Sequence, residues 1–396
     1  MPTFFRFLLI AVVLAAPAAF AQRKIGDVTI NVDKHQIPVH VSGSTPELDA
    51  LARLAFGAHG RYRLVPSGGD YDIRFSPITG TQVQVDISKG LTAAPVVSEI
   101  ATGTNLHHAL YRAADIAVEK TNGLGLRGFF TAKLAFIGES TGKKEVYTSD
   151  LFFSPGSVSK ITSDNALALS PRWSPDGAKV IYTSYLKGFP DIYEIDLASR
   201  QRTTFVSFRG TNMSARFSPN GAQIAMVLTG EGNTEIYVSN VQGRQVARRT
   251  RSDAVKSSPC FSPDGSRLVF AMEPGPQLYV MPAAGGSPQR LTTGFSYAAE
   301  PDWSRANPNK IVCTVKVPGH YQIAVYDLSK GSALVVPTAD FDAIEPSWLA
   351  DGRHIVYTAR DRSSSVLCIL DTESGQSRRI SAPSLGPTMG ASVWTP

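Results

Sequence analysis

The sequence predicts an all-β, six-bladed β-propeller preceded by a small α/β domain, and three observations carry the prediction. A strand–turn–strand unit ending its first strand on an aromatic residue recurs at Trp173, Phe217, Phe261, Trp303, Trp348 and Trp394, in steps of 44, 44, 42, 45 and 46 residues. Each unit goes on to a third and a shorter fourth strand-like run, which is the make-up of a propeller blade. The two ends of the repeat region are incomplete in complementary ways, so that joining them closes a ring.

Residues 1–21 read as a targeting signal rather than structure. Arg6 lies in a short basic n-region, Phe7 to Ala16 is apolar, and Ala19-Phe20-Ala21 is a small-residue cleavage site before Gln22. The apolar run is too short for a membrane helix, and no cysteine follows the cleavage site. The expectation is a periplasmic, Sec-exported protein, peripheral to the membrane and monomeric.

Residues 22–126 are expected to form the α/β domain. Val28–Val32 and Ile37–Val41 alternate in the manner of strands. Ser44 is the expected N-cap of a first helix, with Pro46 in its first turn and Glu47 completing a capping box. Leu48, Leu51, Ala52 and Ala55 form its apolar stripe, and Gly57 and Gly60 stop it. Strands follow at Tyr62–Val65, Tyr71–Phe75, Gln82–Ile87 and Pro95–Ile100. A second helix runs from Asn105 to Lys120, with Thr104 as its expected cap and Leu106, Leu110, Ala113 and Ala117 on one face.

Two motifs near this helix invite chemistry and do not support it. Gly123-Leu124-Gly125-Leu126-Arg127-Gly128 spells G-x-G-x-x-G, but a helix precedes and a strand follows. That is the reverse of the context in which a helix N-terminus meets a pyrophosphate, so the segment reads as an interdomain hinge. His107 and His108 are neighbours on a helix and point about 100° apart, which rules out joint chelation.

Residues 127–396 carry the repeat. The turn after the aromatic reads Ser-Pro-Asp-Gly at 174–177 and 262–265 and Ser-Pro-Asn-Gly at 218–221. Proline pre-sets φ for the first turn position, aspartate or asparagine suits the second, and glycine closes a type I turn. Second strands return at Lys179–Tyr182, Gln223–Val227, Arg267–Phe270, Lys310–Val315 and His354–Tyr357. Third strands follow at Asp191–Leu197, Glu235–Val241, Gln277–Met281, Gln322–Leu328 and Val366–Asp371. Upstream, Ala132–Phe136 and Glu145–Leu151 match a second and a third strand with no first strand before them. Downstream, Ala391–Pro396 is a first strand with no blade after it. Together they complete a sixth blade, and closure leaves no open edge.

Composition narrows the function. The formal net charge of +6 falls to +5 without Arg6, and residues 22–126 are balanced, so the surplus lies thinly over the repeat region. Nucleic-acid binding needs a denser patch than Arg244, Arg248, Arg249 and Arg251 provide. Cys260, Cys313 and Cys368 all fall in strand-like runs and read as small buried residues rather than disulfide partners. No H-E-x-x-H or C-x-x-C is present, and no cofactor or metal is expected. A prolyl-oligopeptidase-type hydrolase would need a nucleophile elbow and a catalytic domain of its own, and residues 22–126 are too few to be one.

An export signal, a small α/β domain and a propeller with Pro-x-Trp-Ser-Pro-Asp-Gly repeats together resemble the TolB family, the periplasmic component of the Tol–Pal system. The resemblance implies a non-enzymatic scaffold that supports outer-membrane integrity and cell division. It would bind a Pal-like peptidoglycan-associated lipoprotein through the propeller and a TolA-like protein through the mature N-terminus. Here that terminus begins Gln22-Arg23-Lys24-Ile25-Gly26-Asp27, a poor match to the family's usual start. The Pal-facing surface would lie around one mouth of the channel, in loops just before each first strand. On this chain the implied positions are Thr211, Asn212, Ser214, Ser257, Ser258, Glu300 and Glu345. Glu300-Pro301-Asp302-Trp303 and Glu345-Pro346-Ser347-Trp348 keep the family's Glu-Pro-x-Trp form, whereas Ser170, Ser214 and Ser258 replace the glutamate elsewhere. The competing reading is an envelope glycan- or small-ligand-binding propeller that uses its channel as a pocket.

Overall fold

The computed structural model describes residues 36–90, 94–338 and 341–396. The expected signal at 1–21, the Gln22–Asp27 stretch and the strand expected at Val28–Val32 lie outside the described residues.

The N-terminal unit is a five-stranded sheet with two helices. It runs β1 (Ile37–Gly43), α1 (Pro46–Ala58), β2 (Tyr62–Leu64), β3 (Tyr71–Thr79), β4 (Gln82–Lys89), β5 (Val97–Thr102) and α2 (Leu106–Thr121). The strand order is β2-β1-β3-β4-β5, with β1 parallel to both neighbours and the remaining pairs antiparallel. Both helix caps sit one residue later than the sequence suggested. Thr45, not Ser44, caps α1 by accepting from Leu48 N–H, and Asn105, not Thr104, caps α2 by accepting from His108 N–H. With the cap shifted, Glu47 closes no capping box; it meets His107 Nε2 at 2.7 Å and ties α1 to α2.

The rest of the chain forms six four-stranded antiparallel sheets. The second to sixth blades begin at Ala168, Asn212, Lys256, Ala298 and Asp342. The first is Lys133–Gly138, Glu145–Asp150 and Ser159–Lys160, completed on its inner side by the C-terminal strand Thr388–Trp394. The seal at the chain ends is thus built as the repeat arithmetic predicted.

Two local devices recur because the repeat encodes them. In the turn, the Ser174 hydroxyl donates to Asp176 at 2.5 Å and accepts from Lys179 N–H at 2.9 Å, and Gly177 takes φ +70°. Ser218–Asn220 and Ser262–Asp264 repeat it. At the start of the third strand, a buried acceptor takes a threonine hydroxyl from beyond the fourth strand, in the pairs Glu145–Thr162, Glu235–Thr250, Gln277–Thr293 and Gln322–Thr338. These buried polar side chains are therefore hydrogen-bonded partners within one blade.

The last aromatic of the repeat is displaced by one residue. Register puts Val393, not Trp394, level with Trp348, because the bulges fall between Ile344 and Ser347 and between Met389 and Ser392. Trp394 instead projects onto the turn of the second blade. Its Nε1 donates to Pro175 O, its ring lies 5.9 Å from that of Trp173, and Lys133 stands over it at 5.5 Å.

The two units share one core. Phe56, Tyr62, Phe129 and Phe130 belong to the same buried cluster as Val356, Leu367 and Ile369 of the sixth blade. The glycine-rich segment between them is tied down rather than hinge-like. Asn122 Oδ1 accepts from Leu124 and Leu126 N–H, and Asp115 accepts from Phe130 and Thr131 N–H just beyond Gly128. The three cysteines are buried and no disulfide joins them.

Candidate functional site

Each inner strand meets its second strand through a β-bulge in which two residues oppose one. The first bulged residue is left-handed in all six blades: Ser170 (φ 51°), Ser214 (56°), Ser258 (53°), Glu300 (53°), Glu345 (55°) and Gly390 (63°). The second is proline at 171, 259, 301 and 346, where the ladder needs no N–H. The bulges turn these six positions toward the axis, where they enclose a cavity of about 80 Å³.

Of the predicted residues, Ser214, Ser258, Glu300 and Glu345 come together in this ring, joined by Ser170 and Gly390. They lie inside the inner strands rather than in the loops before them, which corrects the placement expected from sequence. Ser257 pairs with Ala271 in the ladder, and Thr211 donates its N–H to the Thr229 hydroxyl. Asn212, expected as a contact residue, is fully buried and organises its loop. Its amide donates to Phe208 O and Asp191 Oδ1, while its Oδ1 accepts from Phe208 N–H.

The two ring glutamates link neighbouring blades. Glu300 Oε2 accepts from Glu345 N–H at 2.9 Å and the Thr314 hydroxyl at 2.7 Å. Glu345 Oε2 accepts from Gly390 N–H and the Thr358 hydroxyl, both at 2.8 Å. Burial pushes the Glu300 carboxyl above its ordinary range, and the Glu345 charge adds to the shift.

Below the ring, the residue just before each aromatic position forms a second layer: Arg172, Arg216, Cys260, Asp302, Ser347 and Ser392. Four of them accept the next blade's backbone N–H. Trp303 donates to Cys260 Sγ, Trp348 to Asp302 Oδ2, Val393 to Ser347 Oγ and Trp173 to Ser392 Oγ. Arginine cannot accept, and Arg216 instead crosses the channel to pair with Asp302. All of this layer but Cys260 lines a wider cavity of about 270 Å³ together with Arg127 and Arg305. Sequence reasoning passed over it, although its signal was present: the column reads Arg, Arg, Cys, Asp, Ser, Ser from blade to blade.

Two clusters carry residue types suited to catalysis or metal, and their geometry fits neither. Gly138-Glu139-Ser140-Thr141-Gly142 spells G-x-S-x-G, but it is the hairpin between two strands of the first blade, not a strand-to-helix elbow. Ser140 Oγ pairs with the Tyr147 hydroxyl at 2.7 Å. His59, Asp351 and His354 bring three possible ligand atoms within 4.8 Å of one another. Both His354 nitrogens are engaged, Nδ1 with Asp351 at 2.5 Å and Nε2 as acceptor from Gly60 N–H at 3.2 Å, and Arg353 lies alongside on its ion pair with Asp371. The trio is a seam between the two units.

Among the described residues, no helix is long and apolar enough to cross a membrane. The crystal structure of TolB from Acinetobacter baumannii superimposes with a TM-score of 0.80 over 93% of this chain and 99% of that one, at 21% identity, a likeness of fold. The Tol-Pal system protein TolB of Roseobacter denitrificans is 31% identical over 34% of this chain and 31% of its own length. That of Azoarcus sp. is 29% identical over 43% of this chain and 37% of its own length. The aligned stretch therefore spans about a third of these relatives. The model of the TolB beta propeller domain matches residues 121–396, and with six sealed blades behind that match, the chain belongs to the TolB β-propeller family.

Proposed function

We propose that this protein is a non-enzymatic periplasmic scaffold of the Tol–Pal system, serving outer-membrane integrity and cell division by docking a Pal-like peptidoglycan-associated lipoprotein on its propeller. One observation carries the reading. The fourth-to-first and second-to-third strand connections emerge on the channel face nearest the Ser/Glu ring. Leu167, Phe189, Phe208 and Val255, exposed at 39%, 73%, 49% and 49%, all lie in those connections. Apolar side chains gathered around a polar mouth are what a protein partner covers. The names of the curated relatives, which place them in the Tol-Pal system, support the choice of partner. Thr211, Ser257 and Ser258 would flank this surface, while Glu300 and Glu345 shape the mouth behind it. A TolA-like protein would engage the mature N-terminus from Gln22.

Titration of the mature protein with the periplasmic domain of a Pal-like lipoprotein tests the reading. Binding at micromolar or better is expected, weakened at least tenfold by Phe189→Asp with Phe208→Asp, about 1.4 kcal/mol or more. Leu334→Asp, on an outer strand, should leave it unchanged. No binding to the lipoprotein domain, with saturable binding of envelope glycans, would replace the scaffold with the ligand-binding propeller.

A further inference from the structure

The strongest feature outside the proposed docking face is the charge inside the channel. The charged side chains that line the cavity beneath the ring are Arg127, Arg172, Arg216 and Arg305 and one carboxylate, Asp302, with Pro396 also in the lining. Asp302 is already engaged by Arg216 and by Trp348 N–H. Arg172 donates to its neighbour's carbonyl, Pro171 O, at 3.1 Å and forms no ion pair among the described residues, while the Asp302 and Glu345 charges act on it from farther away. Arg127 and Arg305 form no ion pair among the described residues, and the Asp302 charge reaches Arg305. Four guanidiniums therefore line one small cavity whose side chains include a single carboxylate.

Two further details suit this space to an anion. Ser347 and Ser392 accept backbone N–H bonds through Oγ, which leaves each hydroxyl proton able to donate toward the axis. The glutamates lie in the ring at the other end, so positive charge prevails at the end where Arg127 and Arg305 stand. Walls of low dielectric focus such a field. Burial, with Arg216 adding repulsion and the Asp302 and Glu345 charges only partly offsetting it, pushes Arg172 down to about 10, and a bound anion would favour its charged form.

We propose that the lower half of the channel is a binding site for a small oxyanion, a phosphate or a compact polycarboxylate, held by Arg172 with Arg305 and Arg127 at the entrance. The cavity, about 270 Å³, lies below the usual range of drug-sized sites and suits an ion of a few heavy atoms rather than an extended chain. Guanidinium forks match the paired oxygens of such groups. The site is independent of the docking face and of what binds there.

Calorimetric titration of the full mature protein with inorganic phosphate and with citrate, at constant low ionic strength, tests the proposal. Saturable one-to-one binding of at least one anion is expected, weakening as salt rises. Arg172→Gln should lower the affinity at least tenfold, and Arg305→Gln, at the exposed entrance where folding is not at stake, should lower it severalfold. Circular dichroism of each variant checks the fold. No saturable binding of either anion, or equal affinity in both correctly folded variants and the parent, overturns the proposal. Binding of citrate but not phosphate, abolished by Arg172→Gln, upholds it and assigns the polycarboxylate class.

Discussion

The indole Nε1 of Trp394 donates to the carbonyl of Pro175 at 3.0 Å, joining the last strand of the chain to the first turn of the second blade. A Cβ on Gly177 would fall on the indole ring, so this glycine gives Trp394 its seat as well as its turn its left-handed φ. The closing strand is thus held on two sides, by the ladder to the first blade and by a tryptophan clasp on the next. Trp394→Ala should destabilise the protein by about 2–4 kcal/mol, the range for removing a large, partly buried ring. Gly177→Ala should cost about 1–3 kcal/mol through strained φ and displacement of the ring. Denaturant unfolding checks both, and the double mutant should fall short of their sum because the two residues touch.

The fold was legible because a repeat of four strands states its period directly, and the ends of the chain declared the seal. The clasp was not. Residue type aligns Trp394 with Trp348, and only strand register shows that Val393 holds that level. The ring was half legible. Ser214, Ser258, Glu300 and Glu345 were named from the resemblance, but that the column is left-handed follows from bulges whose signal, Ser-Pro or Glu-Pro, is also common in loops. The arginine layer was open to view in the repeat alignment and silent about direction, since alternation along a strand cannot say which face meets the axis when both faces are buried.

Glu300 gives the ring a pH dependence whose sign is fixed. Its folded carboxyl titrates above the ordinary value of 4.5, by burial and then by the Glu345 charge. The folded state therefore holds its proton more tightly than the unfolded one, and Glu300 withdraws stability as pH rises from about 4.5 through the folded value. Glu300→Gln keeps an oxygen for Glu345 N–H and the Thr314 hydroxyl without the charge. It should be more stable than the parent by about 1 kcal/mol at pH 8 and no more stable at pH 4. Melting curves across that range decide, and a pH-independent difference would refute the assignment. Glu300→Ala should instead lose about 1–3 kcal/mol at every pH, because the Thr314 hydroxyl loses its acceptor and Glu345 N–H keeps only its longer bond, at 3.2 Å, to that hydroxyl.

Asn212 separates architecture from recognition. Its amide closes the Phe208–Asn212 loop that presents Phe208 at the proposed docking face. Asn212→Asp would place a carboxylate beside Asp191, whose Oδ1 now accepts from the amide at 3.2 Å. Two buried like charges at that spacing should destabilise the fold by about 2–4 kcal/mol at pH 7. Partner affinity measured on the folded fraction should drop only as far as the loop loosens. A normal melting temperature with abolished partner binding would return Asn212 to the contact surface.

His59 sets the acid limit of the seam between the two units. Its ring is fully buried, stacks on Phe129 at 5.2 Å and lies 4.4 Å from the ring of His354. Nδ1 accepts from Arg61 N–H, and Nε2 has no hydrogen-bond partner among the described residues. Burial lowers its pKa well below 6.5, and the nearby His354, Arg353 and Arg61 charges lower it further. The unfolded chain therefore takes up a proton near pH 6.5 that the folded chain refuses. The stability His59 allows is complete above that value and falls as pH drops below it, by up to about 1.4 kcal/mol per pH unit. Asp115, pushed up to about 7 by burial, acts in the opposite sense over the same window, so the parent alone shows a blunted slope. The informative quantity is the difference between the parent and His59→Phe, in which the Asp115 contribution cancels. The gap between their unfolding free energies should close, or reverse in favour of His59→Phe, as pH falls from 7 to 5. Parallel curves over that interval would show that His59 takes up its proton in the folded seam at the same pH as in the unfolded chain, and that burial does not hold it neutral.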